Sequence, residues 1–265
     1  MNATEYLHRI GVNPDSVHVT DLRTLERLQR AHVTSVPFEN LSIVGDPYGS
    51  FEGAEIALSV PKLYDKIVDR RRGGYCFELN GLFCWLLSEL GYDADRIAAR
   101  VVGDDGARPP ANHHSIAVDL DRRYVVDVGL GVPKMRRPIP IDGRDVVETT
   151  ECAWRIGESD RPDAEYLVQT RSAPGDEWEP RYLFTDRPRE LGYFRATNDY
   201  LQTAPESTFT GNPIVNIATE TGYVKCSEET LTVIDGGTTT EHDLTAATWH
   251  ETLERYFGVC LRDDG

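Results

Sequence analysis

The fold is organised around residues 71–81, which read RRGGYCFELNG. From this stretch onward apolar residues recur at helical spacing, which predicts a helix that starts near Cys76 and ends before Gly91. These apolar residues are Phe77, Leu79, Leu82, Phe83, Leu86, Leu87 and Leu90. Cys76 would then lie in the first turn, where unpaired backbone N–H groups and the helix dipole favour an anion. Such a position suits a nucleophilic thiol, although a buried structural cysteine is equally compatible with position alone.

We also expect roles for the residues around Cys76. Residues 70–72 are all arginine and would add positive charge beside the thiol. Gly73 and Gly74 would let backbone approach the site and adopt positive φ. Glu78 is expected to hold loop backbone or an arginine, and a surface acid at a helix start explains it nearly as well. Cys84 is expected to be a small core residue.

Composition narrows the classes of function. The chain has 265 residues and a net charge of −16, from 44 acidic and 28 basic residues. This length can bury a substantial core and suits one to three domains, while the acidity argues against nucleic-acid or anionic-membrane partners. Lysine occurs only at Lys62, Lys66, Lys134 and Lys225. Adaptation to a salt-rich cytoplasm and ordinary acidity in a protein from a GC-rich genome both remain open.

Cysteine usage and the N-terminus indicate a cytoplasmic protein. The five cysteines are scattered without C-x-x-C spacing, which argues against a disulfide framework and a zinc site. Residues 1–5 lack the basic and apolar regions of a signal peptide, and no run approaches about 18 apolar residues. We therefore expect a reducing cytoplasm and no metal.

The patterning predicts an α+β fold. Before residue 92, helices are expected after Asn2, Asp21 and Ser59, in addition to the helix at Cys76. A β-rich middle follows, with a barrel or strongly curved sheet as the expected form. Its predicted strands are 96–102, 115–120, 123–128, 165–170 and 179–184. Beyond it we expect strands at 223–226 and 231–234 and a final helix at 246–257.

Partners for a nucleophilic Cys76 can be sought among histidines and carboxylates. A nucleophilic thiol needs a base within hydrogen-bond reach and a third group that orients the base. His113 and His114 come directly before a predicted strand, and Asp127 ends the next one inside an apolar run. A buried aspartate needs a partner such as an imidazole N–H. The pattern therefore predicts a cysteine-protease-like Cys-His-Asp triad, with either histidine as the base.

Several motifs, in this order, resemble those of the arylamine N-acetyltransferases. The resemblance runs over nearly the whole chain, and the cysteine motif is its most specific part. The motifs are residues 37–41 (PFENL), 72–80 (RGGYCFELN), a histidine five residues before Val118, 127–129 (DVG), 178–184 (WEPRYLF), 205–209 (PESTF) and 253–258 (LERYFG).

The resemblance implies three parts and a ping-pong reaction. The parts are a helical domain over 1–91, a β-barrel domain over 92–195, and an interdomain segment with an α/β lid over 196–265. Cys76 would take the acetyl group of acetyl-CoA and pass it to an arylamine or arylhydrazine, or to the oxygen of an N-hydroxyarylamine. Asp127 would orient the base, and Val118 favours His113 over His114 for that role. The implied protein is a monomer or homodimer.

The resemblance also implies residues for the two substrates. Phe38, Gly129 and Leu130 would contact the acceptor, and Leu130 stands where the family often has phenylalanine. Residues on the acetyl-CoA side would be Gly131, Ser207, Thr208 and Phe209. The basic cluster of Lys134, Arg136 and Arg137 is a further candidate for the CoA phosphates.

Two other functions use the same triad. An amide synthase would act on a carrier-bound polyketide, and a hydrolase of the papain or transglutaminase type would use water as the acceptor. A non-enzymatic binding module would require an incomplete triad, whereas the sequence supplies all three residue types.

Overall fold

The computed structural model describes residues 1–143, 146–149 and 151–261 of the chain. Within them an N-terminal helical part is followed by a large curved sheet and then by a smaller sheet with two helices. The mixed α and β content and the strongly curved sheet agree with the sequence prediction.

Five α-helices, one short 3-10 helix (Pro14–Ser16) and one short strand form the N-terminal part as described. The α-helices and the strand are α1 (Ala3–Arg9), α2 (Leu22–Ser35), β1 (Phe38–Glu39), α3 (Leu41–Val44), α4 (Val60–Tyr64, continued by a wide turn at Asp65–Asp69) and α5 (Cys76–Glu89). The side chains of Asn2 and Asp21 cap α1 and α2, each by accepting a hydrogen bond from a first-turn N–H. Ser59 precedes α4 without such a bond. The predicted helix at Cys76 thus begins at that residue.

The middle of the chain forms an antiparallel sheet. Its strands are β2 (Asp93–Gly103), β3 (Gly106–Ala107), β4 (His113–Asp119), β5 (Arg123–Val126), β6 (Ile139–Pro140), β7 (Val147–Glu148), β8 (Ala153–Glu158), β9 (Tyr166–Arg171) and β10 (Glu179–Pro188). The order is β6-β5-β4-β2-β10-β9-β8-β7, and β3 pairs with β2. Ile139 of β6 and Trp154 of β8 belong to one apolar core, so the sheet curls until its two ends approach each other.

The last part of the chain shares a sheet with the first. After α6 (Arg195–Thr203) come β11 (Val215–Ala218), β12 (Gly222–Cys226), β13 (Thr230–Asp235), β14 (Thr238–Asp243) and α7 (Ala246–Thr252, continued by a π-helical turn at Leu253–Phe257). The strand order is β1-β11-β12-β13-β14. Phe38 of β1 lies opposite Asn216 of β11, so an N-terminal strand joins the C-terminal sheet.

Several elements were not predicted, namely α3, α6, β1, β3, β6, β7, β8, β11 and β14. The strand β14 reads TTTEHD and is exposed along its whole length, so it has no alternation of apolar and polar residues. All four residues of β11 are buried, which also removes the alternation. Helix α6 buries only Asn198 and Leu201, which is too short a stripe to show a helical period.

Strand β4 separates two apolar cores. Ile116 and Val118 pack into the helical core together with α5, whereas Ala117 packs into the core of the curved sheet. This alternation follows from the period of two in a strand, and it decides which way each histidine at the start of β4 points.

No helix in the described part of the chain is long and apolar enough to cross a membrane.

Candidate active site

Cys76 is the first residue of α5 and is only 3% exposed. The helix start is fixed by Glu78, whose carboxylate accepts a hydrogen bond of 3.1 Å from the N–H of Tyr75. The Cys76 Sγ lies 3.9 Å from the carbonyl oxygen of Asn112, the residue directly before β4. The thiol is therefore placed between the start of the helix and the start of the strand.

The two histidines at the start of β4 point to opposite faces of the strand. His113 Nε2 lies 2.6 Å from Asp127 Oδ2. The ring of His114 instead stacks between Phe77 and Phe194, with centroid distances of 5.7 and 4.7 Å. His114 thus belongs to the helical core, and the structure brings His113, Asp127 and Cys76 together without it.

Asp127 accepts four hydrogen bonds. His113 and the Ser115 hydroxyl, at 3.0 Å, donate to Oδ2, while Asn80 Nδ2 and the N–H of Gly129, each at 2.9 Å, donate to Oδ1. Burial alone would raise the pKa of this carboxyl, but His113 and the side-chain donors lower it below the ordinary value. Asp127 is therefore held as a carboxylate behind the imidazole.

The same surroundings set the charge of the two imidazoles. Burial opposes protonation of His113, yet the Asp127 carboxylate and the hydrogen bonds with Asp127 and Cys76 raise its pKa to about 10. For His114, burial and the neighbouring His113 charge lower the pKa to about 3. Since Asp127 occupies His113 Nε2, the nitrogen left for Cys76 is Nδ1. At neutral pH this arrangement places an imidazolium between the Asp127 carboxylate and the Cys76 sulfur.

Asn80 and Gly129 tie the helix to the turn that follows β5. Asn80 Nδ2 also donates 2.6 Å to the carbonyl of His114, and its Oδ1 accepts from the N–H of Val128 at 2.9 Å. A Cβ at Gly129 would lie 2.7 Å from Cys76 Cα, so only glycine allows this approach. These contacts hold Asp127 at a fixed distance from the start of α5.

Sequence reasoning gave no separate role to Asn80 or Ser115, although each has a simple signal. Asn80 follows Cys76 by four residues and therefore lies on the same helix face one turn later. Ser115 follows His113 by two residues and therefore shares its face of the strand. Both periods place a hydrogen-bond donor next to the carboxylate.

A cavity of about 570 Å³ opens beside Cys76 and His113. It lies between the curved sheet, the start of α5 and the segment that follows α6. Nine of the sequence-predicted site residues line it, namely Phe38, Cys76, His113, Gly129, Leu130, Gly131, Ser207, Thr208 and Phe209. Asp127 is buried behind His113.

The walls of this cavity are largely aromatic on the side of β1. Phe209 packs against Phe38 and Tyr75, with ring centroids 6.1 and 5.2 Å apart. The Ser207 hydroxyl donates to the Leu201 carbonyl and accepts from the N–H of Phe209, so it already serves the local turn. Of the predicted residues on the acetyl-CoA side, Ser207 is thus the one whose side chain is engaged in local hydrogen bonds.

Two polar residues of the cavity wall that were not predicted as site residues each have an unpaired buried atom. Among the described residues, Arg181 Nε and Asn216 Oδ1 are buried without a hydrogen-bond partner, and both residues line the cavity. Unpaired buried polar atoms are uncommon. Arg181 lies within the predicted strand 179–184, and Asn216 lies in β11, which the sequence pattern did not reveal.

The sequence and the fold are similar to those of known proteins. A family model described as N-acetyltransferase matches residues 21–265. An arylamine N-acetyltransferase of Mycolicibacterium smegmatis is 35% identical over 271 residues, which cover 99% of this chain and 94% of that protein. The chain belongs to the arylamine N-acetyltransferase family. The family that the motifs resemble is thereby confirmed.

Solved structures of arylamine N-acetyltransferases have the same fold. The enzyme of M. tuberculosis superimposes with a TM-score of 0.86 at 32% identity, covering 100% of this chain and 95% of that one. The Mycobacterium marinum enzyme in complex with CoA gives a TM-score of 0.83 at 30% identity, covering 97% of this chain and 93% of that one. In the described part of this family member, no three His, Cys, Asp or Glu side chains are grouped to hold a metal ion.

Two of the three arginines before Cys76 form ion pairs, and the positive φ expected at Gly73 and Gly74 is not found. Arg72 pairs with the buried Glu39 at 2.9 Å, and Arg70 pairs with Asp65. Gly73 and Gly74 do not have positive φ, whereas Arg71 does, at 54°. The two glycines are needed for close packing, because a Cβ would lie 2.2 Å from the Pro37 carbonyl at Gly73 and 2.9 Å from Glu78 at Gly74.

Glu78 and Glu39 share a buried network with two cations. Lys66 Nζ lies 2.7 Å from Glu78 and 3.7 Å from Glu39. Burial would raise the pKa of Glu39, but Arg72 and Lys66 lower it to about 2. Glu78 thus holds loop backbone, as expected, together with a lysine rather than an arginine. None of the four residues of this network lines the cavity, and the network fixes the start of α5 through Glu78.

The basic cluster of Lys134, Arg136 and Arg137 does not line the cavity beside Cys76. Lys134 is 1% exposed, and Arg136 is buried against Glu151. Arg137 pairs with Glu26 in a separate groove along α2. Lys134 and Arg136 are therefore too buried to receive the CoA phosphates. Cys84 is buried in the helical core, as predicted for a small core residue.

Proposed function

We propose that this protein transfers an acetyl group from acetyl-CoA to arylamines and arylhydrazines through an acetyl-cysteine at Cys76. The observation that carries the proposal is the His113–Asp127 pair beside Cys76 on the wall of the cavity. Family membership supports it, and so does the complex of the M. marinum enzyme with CoA.

In the first half-reaction the Cys76 sulfur, as the thiolate of a thiolate–imidazolium pair with His113, attacks the thioester carbonyl carbon. A new C–S bond forms to Cys76, and the bond between the acetyl carbon and the CoA sulfur breaks. His113 gives its Nδ1 proton to the departing CoA sulfur, and Asp127 keeps the ring oriented through Nε2. A raised His113 pKa ensures that this proton is present at neutral pH.

In the second half-reaction the acceptor nitrogen attacks the acetyl carbon of acetyl-Cys76. The N–C bond forms, the bond to Cys76 Sγ breaks, and His113, now neutral, takes the proton from the attacking nitrogen. An N-hydroxyarylamine can accept through oxygen by the same sequence of steps. The products are CoA and the N-acetyl or O-acetyl compound, and the enzyme returns to its starting state.

We assign the walls of the cavity to the two substrates as follows. Phe38, Gly129 and Leu130 contact the acceptor, because they surround the side of the cavity next to Cys76 and the aromatic cluster. Gly131, Ser207, Thr208 and Phe209 contact the acyl donor. Leu130 has no ring with which to stack an aryl acceptor, so Phe38 provides the aromatic contact instead.

The division into domains over 1–91, 92–195 and 196–265 is likewise proposed. The helical core and the core of the curved sheet lie on opposite faces of β4, which supports a boundary near residue 92. A third core contains Val215, Trp249 and Phe257 of the C-terminal part together with Leu41 of the first part. The N-terminal helical part thus contributes both to its own core and to the lid.

We further propose a cytoplasmic monomer or homodimer without nucleic-acid or membrane partners, adapted to a salt-rich cytoplasm. The net charge of −16 and the scarcity of lysine support this. Dilution into low salt should unfold the protein, as circular dichroism would show. Unchanged structure and activity at low ionic strength would refute the salt adaptation and leave the reaction unaffected.

Mass spectrometry of the Cys76 peptide tests the proposed reaction. Acetyl-CoA should add one acetyl group to that peptide, and a subsequent addition of aniline should remove it and yield acetanilide. The Cys76→Ser variant should form neither acetyl-enzyme nor acetanilide, whereas Cys84→Ser, which alters the buried cysteine of the same helix, should form both. Absence of any acetyl-enzyme would sink the proposal. Release of acetate in water as fast as acetanilide forms would favour a hydrolase, and acetylation only from a carrier-bound donor would favour an amide synthase.

A further inference from the structure

Lys134 is a buried lysine that the proposed reaction does not use. It is 1% exposed, and its Nζ lies 2.9 Å from the carbonyl oxygen of Leu130. The same ammonium lies over the face of Phe38, 5.0 Å from the ring centroid. Leu130 and Phe38 both line the cavity beside Cys76; Phe38 lies in β1 of the C-terminal sheet and Leu130 in the turn that follows β5. Lys134 therefore contacts residues of two cavity walls without lining the cavity itself.

The charge on Lys134 has no direct counter-ion. No ion pair of Lys134 is found within residues 1–143, 146–149 and 151–261, and the charged groups that face it are the carboxylates of Asp127 and Glu151 and the guanidinium of Arg136. His32 also faces it and is buried, with a pKa well below its ordinary value. An apolar side chain would fill this place without the cost of burying a charge. A lysine here needs a reason beyond packing.

We propose that Lys134 is a positioning residue for the acceptor, which sets the separation between the Leu130 backbone and the Phe38 ring across the cavity. One N–H of the ammonium fixes the Leu130 carbonyl, and the positive charge holds the electron-rich face of Phe38. This inference rests on the proposed function, in which Phe38 and Leu130 contact the acceptor.

The positioning depends on the protonation of Lys134. Burial lowers its pKa to about 7, against the opposing effect of Asp127 and Glu151. Below that value the ammonium makes both contacts. Above it the neutral amine can still donate to the Leu130 carbonyl, but it no longer attracts the Phe38 ring. The acceptor KM should therefore rise as the pH increases through about 7, while acetyl transfer from acetyl-CoA to Cys76 should not show this change.

Steady-state kinetics of the Lys134→Met variant test this inference. Methionine fills a similar volume without charge or donor, and Lys62→Met at an exposed lysine of α4 is the matched control. Acetyl-CoA and 4-methylaniline are the substrates, because this amine stays unprotonated across the pH range used. We expect Lys134→Met to raise the acceptor KM about tenfold at pH 6, which corresponds to about 1.4 kcal/mol, and to remove its dependence on pH.

The outcomes separate this inference from the proposed function. If wild-type Cys76 is not acetylated, the proposed function fails first. If it is acetylated but the acceptor KM of Lys134→Met matches that of Lys62→Met, the positioning role is refuted. Should Lys134→Met not fold, the wild-type protein decides: an acceptor KM that stays constant between pH 6 and 8 overturns the inference, and a rise centred near pH 7 supports it. Lys134→Gln, which keeps a donor without the charge, should show a raised KM at every pH.

Discussion

The two faces of β4 show how one strand gives neighbouring histidines opposite properties. His113 and His114 are adjacent and almost fully buried, with exposures of 2% and 0%. His113 meets a carboxylate, and its pKa is raised to about 10, whereas His114 lies between two aromatic rings and its pKa is lowered to about 3. Burial opposes protonation of both imidazoles, so the difference between their pKa values comes from the groups that each ring contacts.

The two faces of β4 also differ in the groups that they contact. The His113 face carries Ser115 and leads to Asp127 and the cavity, and four donors pair with the two carboxylate oxygens. On the His114 face, His114 Nε2 makes a hydrogen bond of 3.3 Å to the Phe77 carbonyl, while its Nδ1 has no partner within the described residues. One face is thus organised around a charge, and the other around apolar packing.

Replacing each histidine by glutamine should give the largest difference in activity between the two faces of β4. His113→Gln removes the proposed base and should lower kcat/KM for acetyl transfer by about 10²- to 10⁴-fold. His114→Gln changes a core ring that does not touch the cavity and should lower it far less. Acetanilide formation measured under identical conditions decides between them. Equal losses in the two variants, with both folded by circular dichroism, would contradict the distinction.

The second largest effect concerns stability in acid. The unfolded chain protonates His114 near pH 6.5, but the folded chain keeps it neutral down to about pH 3. The unfolded state therefore binds more protons in this window, and stability is lost as the pH falls through it. His114→Phe keeps the stacking and removes the titration, so between pH 7 and 4 it should lose about 2 to 3 kcal/mol less stability than wild type.

Urea unfolding at pH 7 and pH 4 measures this difference. His18→Phe at an exposed histidine is the control and should behave as wild type. The buried His32 remains in every variant, so some acid sensitivity persists in His114→Phe. Identical acid sensitivity of wild type and His114→Phe would show that His114 titrates normally in the folded protein.

Disturbing the close packing on the His113 face should have a smaller effect on stability and activity. A Cβ at Gly129 would lie 2.7 Å from Cys76 Cα and 2.8 Å from its carbonyl oxygen, so Gly129→Ala should cost about 1 to 3 kcal/mol of stability and should also lower activity. Gly131, two residues later in the same cavity wall, has no atom within 4 Å of such a Cβ. Gly131→Ala should therefore unfold at the same urea concentration as wild type, and a comparable loss in both variants would rule out the steric explanation.

The smallest effect is expected at Ser115. Its hydroxyl is one of four donors to Asp127, and Ser115→Ala leaves the other three in place. Loss of this hydrogen bond should reduce transition-state stabilisation by about 1 kcal/mol, which corresponds to about a fivefold decrease in kcat/KM. A decrease as large as that of His113→Gln would mean that Ser115 itself takes part in proton transfer.

Local periodicity predicted the parts of the site that lie within single elements. The helical spacing after Cys76 placed this residue at a helix start, and Asp127 in an apolar run indicated a buried, paired carboxylate. Position alone did not choose between His113 and His114, because the side on which a strand faces a core depends on its neighbours in the sheet. The choice of His113 in the sequence came from motif spacing.

Features formed between distant segments could not be predicted in this way. Lys134 follows Asp127 closely in sequence and reads as an exposed basic residue, yet β1 and the Leu130 turn enclose it. The pairing of β1 with β11 joins segments about 180 residues apart and is visible in neither strand alone. Arg72 likewise finds its carboxylate partner in Glu39 of β1, far upstream of the cysteine motif.

The central claim is that β4 places one charged and one neutral imidazole side by side. NMR titration of the histidine ring nitrogens tests it most directly, with His113→Gln and His114→Gln providing the assignments. We expect the His113 ring to remain protonated above pH 8, because its pKa is raised to about 10, and the His114 ring to remain neutral down to below pH 5, because its pKa is lowered to about 3. Two rings that both titrate near pH 6.5 would contradict the account.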